Sequence, residues 1–276
     1  MTGVSILPAG KSPTAATGAD GAAWSALRRE LDAWAKAGRT ATLWWRDDDA
    51  VAATPALRRL LGLAEQHDVP LALAVIPRDA RRSLFAALAK HTHVYVLQHG
   101  YGHTNHAPAG AKKCELGADR PRAAILAELA EGRVLLQKAA GGRFLPVLVP
   151  PWNRIDAGVA AGLGKLGLAG LSCGNPRAPA RARGGLVRID APIESIDWSG
   201  PKRRFAGAET ILGAVVKHLK ARRLGKAASG APTGFLTHHL AEDAAGWRFI
   251  ARFLAATARH PAVRWLDAAR LFGAAA

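Results

Sequence analysis

Cysteine is nearly absent: Cys114 and Cys173 are the two among 276 residues. Two thiols can build neither a disulfide framework nor a four-cysteine zinc site, and they suit a reducing compartment. Long apolar runs are missing too. None approaches the roughly 18 residues that a membrane span needs. The opening stretch MTGVSILPAGKSPTAATGADG has no apolar signal-peptide core with a cleavage site. A cytoplasmic protein is expected on these grounds. Acidic residues are scarce beside basic ones, 21 against 38, for a formal charge of +17. Such an imbalance favours acidic partners: nucleic acid, anionic surfaces or anionic polymers. The basic residues are nevertheless spread along the chain. Their densest groups, residues 177–188 and 217–226, lack the interleaved aromatics on which bases stack. No recognition motif for nucleic acid is present, so none is expected as a partner.

What the chain does have is a rhythm. Its apolar content of 49% is enough for a sizeable core. Residues 1–20, rich in Gly, Ala, Thr and Pro, read as a flexible tail. Strand-like apolar runs follow at 41–45, 70–76, 93–97, 144–149, 168–173, 186–189, 234–237 and 263–266. Helix-like segments fall between most of them, at 54–67, 81–90, 121–138, 156–166, 208–223 and 242–258. Thr54 followed by Pro55 reads as a helix cap with proline in the first turn. Strand–helix alternation implies a parallel sheet with helices outside it. Seven or eight such units imply an α/β fold of the (β/α) barrel kind, distorted, ahead of a doubly wound open sheet. There is no short repeat and no linker, so residues 21–276 are expected to form one domain.

Most of the apolar runs end in a polar cluster. The first ends in Arg46-Asp47-Asp48-Asp49 and the third in Gln98-His99-Gly100-Tyr101-Gly102-His103-Thr104-Asn105-His106. The fourth ends in Pro150-Pro151-Trp152-Asn153-Arg154 and the seventh in Thr237-His238-His239, while Asp197-Trp198-Ser199-Gly200 follows the sixth. Parallel barrel strands bring all their C-terminal ends to one face, where barrel enzymes keep their active sites. Three aspartates in a row could be a solvated turn or a helix cap. They follow Leu-Trp-Trp, however, and crowded like charges there call for a cation or a shared proton. Three histidines within eight residues suit a metal, and the glycines at 100 and 102 allow the tight backbone that aims His99 and His103 at one centre. Trp152 and the pair His238-His239 could equally be packed side chains.

In these residues the sequence resembles the polysaccharide deacetylase family, the NodB-homology-domain carbohydrate esterases, from about Thr42 to His239. Arg46-Asp47-Asp48-Asp49 resembles the family's Thr-Phe-Asp-Asp. His99-Gly100-Tyr101-Gly102-His103 keeps the spacing of its two histidines, with glycine in place of a hydroxyl residue. Val149-Pro150-Pro151-Trp152 resembles its Arg-Pro-Pro-aromatic motif, with Val149 for the arginine and Arg154 nearby as a substitute. Asp197-Trp198 and Leu236-Thr237-His238 resemble its last two motifs.

The resemblance implies removal of acetyl groups from an N- or O-acetylated carbohydrate by metal-activated water. Asp49, His99 and His103 would hold a divalent metal, with zinc leading and Fe(II) suited to the same donors. Asp48 would be the general base, because Ala50 stands where the family has the glycine after its aspartate pair; a shift by one gives Asp47 and Asp48. His238 would be the general acid with Asp197 behind it, and His239 is its rival. Arg154 would take the catalytic arginine's part. Trp152, Asn153, Tyr101 and His239 would contact substrate, with Asn105 and His106 supporting the metal ligands. Two alternatives are an amidohydrolase on a small non-sugar amide and an inactive barrel that binds an anionic polymer.

Overall fold

The structure, a computed structural model, describes residues 18–174, 186–200, 203–227 and 231–273. Its centre is β1 (Ala41–Ala50), flanked by β2 (Leu71–Val75) and followed outward by β3 (Val94–His99), β4 (Phe144–Val149), β5 (Gly170–Leu171) and β6 (Val187–Arg188). On its other side lie β10 (Thr233–Thr237) and then β7 (Ile193–Glu194). All these pairings are parallel, and β11 (Val263–Trp265) adds to the start of β1. The segment from β6 to β7 brings the two edges of the sheet together. Ile189 and Ala191 donate backbone bonds to Leu171 and Cys173 on the β5 side, at 3.1 and 2.8 Å. Four residues on, Ser195 donates to Leu236 of β10 at 2.9 Å. The sheet therefore curls into the distorted α/β barrel that the alternation implies, with one strand's worth of chain spanning both edges.

Side chains alternate across this curled sheet, as strand geometry requires. Trp44, Ala72, Ala74, Leu97, Val147, Val149 and Leu236 pack inside the barrel, joined by Phe272 of a short C-terminal helix, α8 (Ala268–Phe272). Leu43, Trp45, Leu73, Val75, Val96 and Phe235 face outward, against the helices. Those helices are α1 (Gly18–Lys36), α2 (Pro55–His67), α3 (Arg82–Leu88), α4 (Arg122–Ala140), α5 (Ala157–Gly162), α6 (Ala208–Arg223) and α7 (Ala244–Ala258). The capping expected at Thr54 is present: its hydroxyl accepts from Leu57 N at 3.0 Å, with Pro55 opening the helix. Leu57, Leu60, Leu61 and Ala64 then bury one face of α2 at helical spacing. Each such buried leucine is worth about 1.5–3 kcal/mol relative to exposure.

Several elements differ from the sequence expectation, the short β7 and α8 among them. α1 was not expected as a helix; Leu27, Leu31 and Trp34 bury its inner face, and Glu30 pairs with Arg223 of α6 at 2.8 Å. β1 runs on through the polar cluster to Ala50 rather than stopping at Trp45. A two-stranded antiparallel pair, β8 (Ile196–Asp197) with β9 (Arg204–Phe205), stands apart from the barrel sheet. Residues 1–17, most of the expected tail, and residues 177–185 of the basic stretch lie outside the described residues. Among the described residues, no helix is long and apolar enough to cross a membrane.

Candidate active site

Strand alternation decides which polar residues enter the barrel mouth. Counting on from inward Trp44, Arg46 and Asp48 face in and Asp47 faces out. Asp47 is fully buried on the outer side, where it accepts from Thr237 Oγ1 at 2.6 Å and from the His239 backbone N at 3.0 Å. It also pairs with the His239 ring. In a regular strand Asp49 would follow Asp47 outward. Instead the pairing with β2 slips between Asp47 and Ala50, and Asp49 takes φ +70°. That kink lets Asp48 and Asp49, adjacent in sequence, line the same pocket.

His99 ends β3 facing inward, and a tight loop returns His103 to it; their rings lie 5.0 Å apart. Asp49 Oδ1 is 3.1 Å from His99 Nε2 and 3.3 Å from His103 Nε2. The loop is held by Glu115, a buried carboxylate accepting from the backbone N–H of Tyr101, Gly102 and Thr104 at 3.2, 2.8 and 3.3 Å. Gly100 is required: it has φ +56°, and a Cβ there would stand 1.9 Å from Glu115 Oε2. After β4, Trp152 and Asn153 adopt φ of +54° and +56°, placing the Trp152 ring 4.3 Å from that of His103. Four of the five described non-glycine residues with positive φ, namely Asp49, His103, Trp152 and Asn153, thus belong to this pocket. Left-handed backbone costs such residues free energy, and it clusters where function demands it.

On the opposite wall, His238 continues the inward parity of Gly234 and Leu236. Its Nδ1 lies 3.1 Å from Glu194 of β7, and Trp198 packs edge-on at 5.0 Å. Burial opposes its charge, but the Glu194 carboxylate, helped by Asp48 and Asp49, lifts the imidazole to about 9. Beneath the floor lies Arg46, fully buried. It grips Asp48 with two contacts, Nε to Oδ1 at 2.9 Å and Nη2 to Oδ2 at 3.0 Å, and also donates to Ser172 Oγ and Asn153 Oδ1 at 2.7 and 3.0 Å.

Several expected site residues stand elsewhere. Asp197 is not behind His238; it accepts from Ser199 and from Arg204, which hold it down to about 2, and Glu194 takes the place next to the imidazole. Arg154 makes no contact with Asp48. It lines the rim, donating to the Lys113 carbonyl at 2.7 Å, because the guanidinium on Asp48 comes from Arg46 instead. Tyr101 turns outward to Glu131 at 2.9 Å, and His239 is sealed against Asp47, so neither reaches the pocket. His106 faces Arg120 at 3.0 Å, whereas Asn105 lines the pocket while its Oδ1 accepts from Ala107 and Cys114. Arg46, Glu194, Glu115, Lys113 and Arg203 were not singled out. Parity from Trp44 flags Arg46; Glu194 sits in the two-residue β7, which no apolar run announces, and Glu115 has no sequence signal.

The pocket is a cleft of about 610 Å³ lined by Asp48, Asp49, His99, His103, Trp152 and His238, among others. Asp49, His99 and His103 offer three donor atoms within 4.8 Å of one another. His99 Nδ1 lies 2.9 Å from the Val149 carbonyl, which fixes its proton there and leaves the Nε2 lone pair facing Asp49. Two acceptors 3.1 Å apart repel unless a proton or a cation lies between them. Burial raises the Asp49 pKa, but the neighbouring imidazoles outweigh it and hold the carboxyl well below the usual range. The donor set thus fits a divalent cation.

No family model matches the sequence, and no curated protein matches it. Solved structures do match. A Mycobacterium smegmatis protein described as a polysaccharide deacetylase superposes with a TM-score of 0.58 at 18% identity, over 86% of this chain and 90% of that one. A chitin deacetylase from Colletotrichum lindemuthianum gives 0.53 at 17%, over 86% and 89%. A family 4 acetyl xylan esterase from Clostridium thermocellum, solved with a cobalt ion, gives 0.51 at 14%, over 84% and 90%. The chain has the fold of the polysaccharide deacetylases.

Proposed function

We propose that this chain is a divergent polysaccharide deacetylase, a metal-dependent hydrolase that removes acetyl groups from an acetylated carbohydrate. The observation that carries the reading is the convergence of Asp49, His99 and His103 within 4.8 Å, in the pocket that also holds Asp48 and His238. A divalent metal, zinc by donor type, would be held by those three side chains and would supply a Lewis acid and an acidified water. The Clostridium thermocellum esterase, which shares this fold, was solved in complex with a cobalt ion, and that supports metal dependence.

The chain's own groups supply the rest. Asp48 takes the proton of the attacking water; the Arg46 fork fixes both its oxygens, so the carboxylate meets that water in one orientation. His238 gives a proton from Nε2 to the leaving nitrogen or oxygen, since its Nδ1 is engaged by Glu194. That proton matters for an amide, because an amide anion is a very poor leaving group. Trp152 and Trp198 offer apolar faces to a sugar ring from two sides. Trp198 is 47% exposed, which favours a sugar chain over a small amide enclosed by protein. An inactive barrel was favoured by the valine at position 149, and Arg46 reaching Asp48 from β1 weakens that ground.

Acetate release from acetylated oligosaccharides, with and without a chelator, tests the reading. Release that stops with chelator and returns with zinc is expected. In elemental analysis, His99→Ala and His103→Ala should lose the bound metal and Asp48→Asn should keep it. Parental metal content in both histidine variants sinks the site.

A further inference from the structure

The charges around the pocket do not balance, and the imbalance lies at its mouth. Each acid of the lining is already accounted for: Asp48 has Arg46 at 2.9 Å, Glu194 has His238 at 3.1 Å, and Asp49 belongs with His99 and His103 to the donor set of the metal site. Lys113, Arg154 and Arg203 also line the pocket, and they have no such partner. No carboxylate among the described residues lies within salt-bridge distance of any of the three. Their neighbour Arg204, by contrast, is neutralised by Asp197 at 3.0 Å. The three cations come from separate segments, after β3, after β4 and after β8. Two of them are tied together, Arg154 Nη1 donating to the Lys113 carbonyl at 2.7 Å. That bond leaves the remaining N–H groups of Arg154 without an acceptor among the described residues. Like charges held at one rim repel, and an anion placed between them relieves the repulsion. A guanidinium with free N–H groups is also the side chain best shaped for a planar or tetrahedral oxyanion. The formal charge of +17 deepens the attraction at long range.

We propose that the substrate is an anionic sugar, one whose acetylated residue carries, or adjoins, an oxyanion that Lys113, Arg154 and Arg203 hold while the acetyl group sits over Asp49, His99 and His103. The proposal rests on the deacetylase reading above for the position of the acetyl group, but the anion site can be tested without turnover. A carboxylate on a neighbouring uronic acid and a phosphate on the sugar itself share this chemistry and are separated by the choice of probe.

Two matched pairs of probes are compared on the metal-loaded protein. Chitotetraose, which is neutral, is set against a hyaluronan tetrasaccharide, which alternates N-acetylglucosamine with glucuronate. N-acetylglucosamine is set against its 1-phosphate. Binding is read by calorimetry and hydrolysis by acetate release. The anionic member of at least one pair should bind at least about tenfold more tightly at low ionic strength, and the advantage should shrink as salt screens it. Preference for the tetrasaccharide identifies a carboxylate, and preference for the sugar phosphate identifies a phosphate. Arg154→Gln, and separately Lys113→Glu with Arg203→Glu, should remove the preference while leaving affinity for the neutral member within about twofold. Circular dichroism confirms that each variant is folded, and the salt dependence of the unaltered protein gives the same answer without any substitution. Equal affinity for both members of both pairs overturns the proposal and leaves the deacetylase reading standing. Preferential anion binding with no acetate from any probe does the reverse.

Discussion

Two side chains carry the site's electrostatics, Arg46 and His238, and each makes a claim that can be measured. Arg46 is fully buried against Asp48, so removing it strands a carboxylate in the barrel. Breaking a buried pair by deleting one partner costs about 3–5 kcal/mol. Arg46→Met should lower stability to chemical denaturation by that order and abolish activity. Adding Asp48→Asn removes the stranded charge, so the double variant should regain much of the stability and none of the activity. A double variant as unstable as Arg46→Met alone would show that the arginine acts on something other than Asp48. His238 is raised to about 9, because Glu194 outweighs burial. The protonated form is the donor, so amide turnover should fall as pH rises through the pKa of His238. A bound divalent cation pushes that value down, and Glu194 pushes it up. Glu194→Gln should therefore shift the descending limb to lower pH and depress amide substrates more than aryl acetates, whose phenolate leaves without a proton. An unmoved limb would reject the pairing.

At the level of elements, the sequence shows most of the scaffold and only part of the aim. Strand–helix alternation locates β1, β2, β3, β4 and β10 because fully buried parallel strands read as apolar runs. It underestimates β1, whose last five residues, four of them polar, still continue the strand. Period two resolves His238 from His239: inward Gly234 and Leu236 put His238 in the pocket and leave His239 against Asp47. The same period misassigns Asp49, because the slip beside β2 and its positive φ are set by tertiary packing. Asp197 was misplaced through the small β8–β9 pair, too short to announce itself by pattern. Glu115 was invisible because its contacts are with backbone N–H groups, and no residue type advertises those. Glu115→Gln keeps the shape but makes one of its two oxygens a donor, facing N–H groups that need an acceptor. It should loosen the loop 100–104 and weaken metal affinity by about 10–100-fold through His103, the range for groups that orient metal ligands. Titration with zinc against a competing chelator reads this, and unchanged affinity would leave Glu115 a purely structural anchor.

Taken whole, the molecule is a ring of strands whose polar ends meet although they are distant in sequence. Asp49 lies one residue from the end of β1, His99 closes β3 and His103 lies beyond it, so a cation held by all three clamps a loop and the two strands that flank β2. That donor set is preformed only in the folded chain. Ligand that binds the native state stabilises it by RT ln(1 + [L]/Kd), about 2.7 kcal/mol at a hundredfold excess over Kd. For a domain of this size, each kcal/mol moves Tm by about 2–4 °C. Metal-loaded protein should therefore melt roughly 5–11 °C above protein stripped with chelator. The increment should persist in Asp48→Asn, which leaves the three donors intact, and vanish in His99→Ala and in Asp49→Ala. An increment that survives all three substitutions would place the cation elsewhere on the chain. One lost in Asp48→Asn but kept in Asp49→Ala would move the ligand role one residue back along β1. Because thermal melting needs neither substrate nor turnover, it decides the metal site independently of the proposed deacetylation.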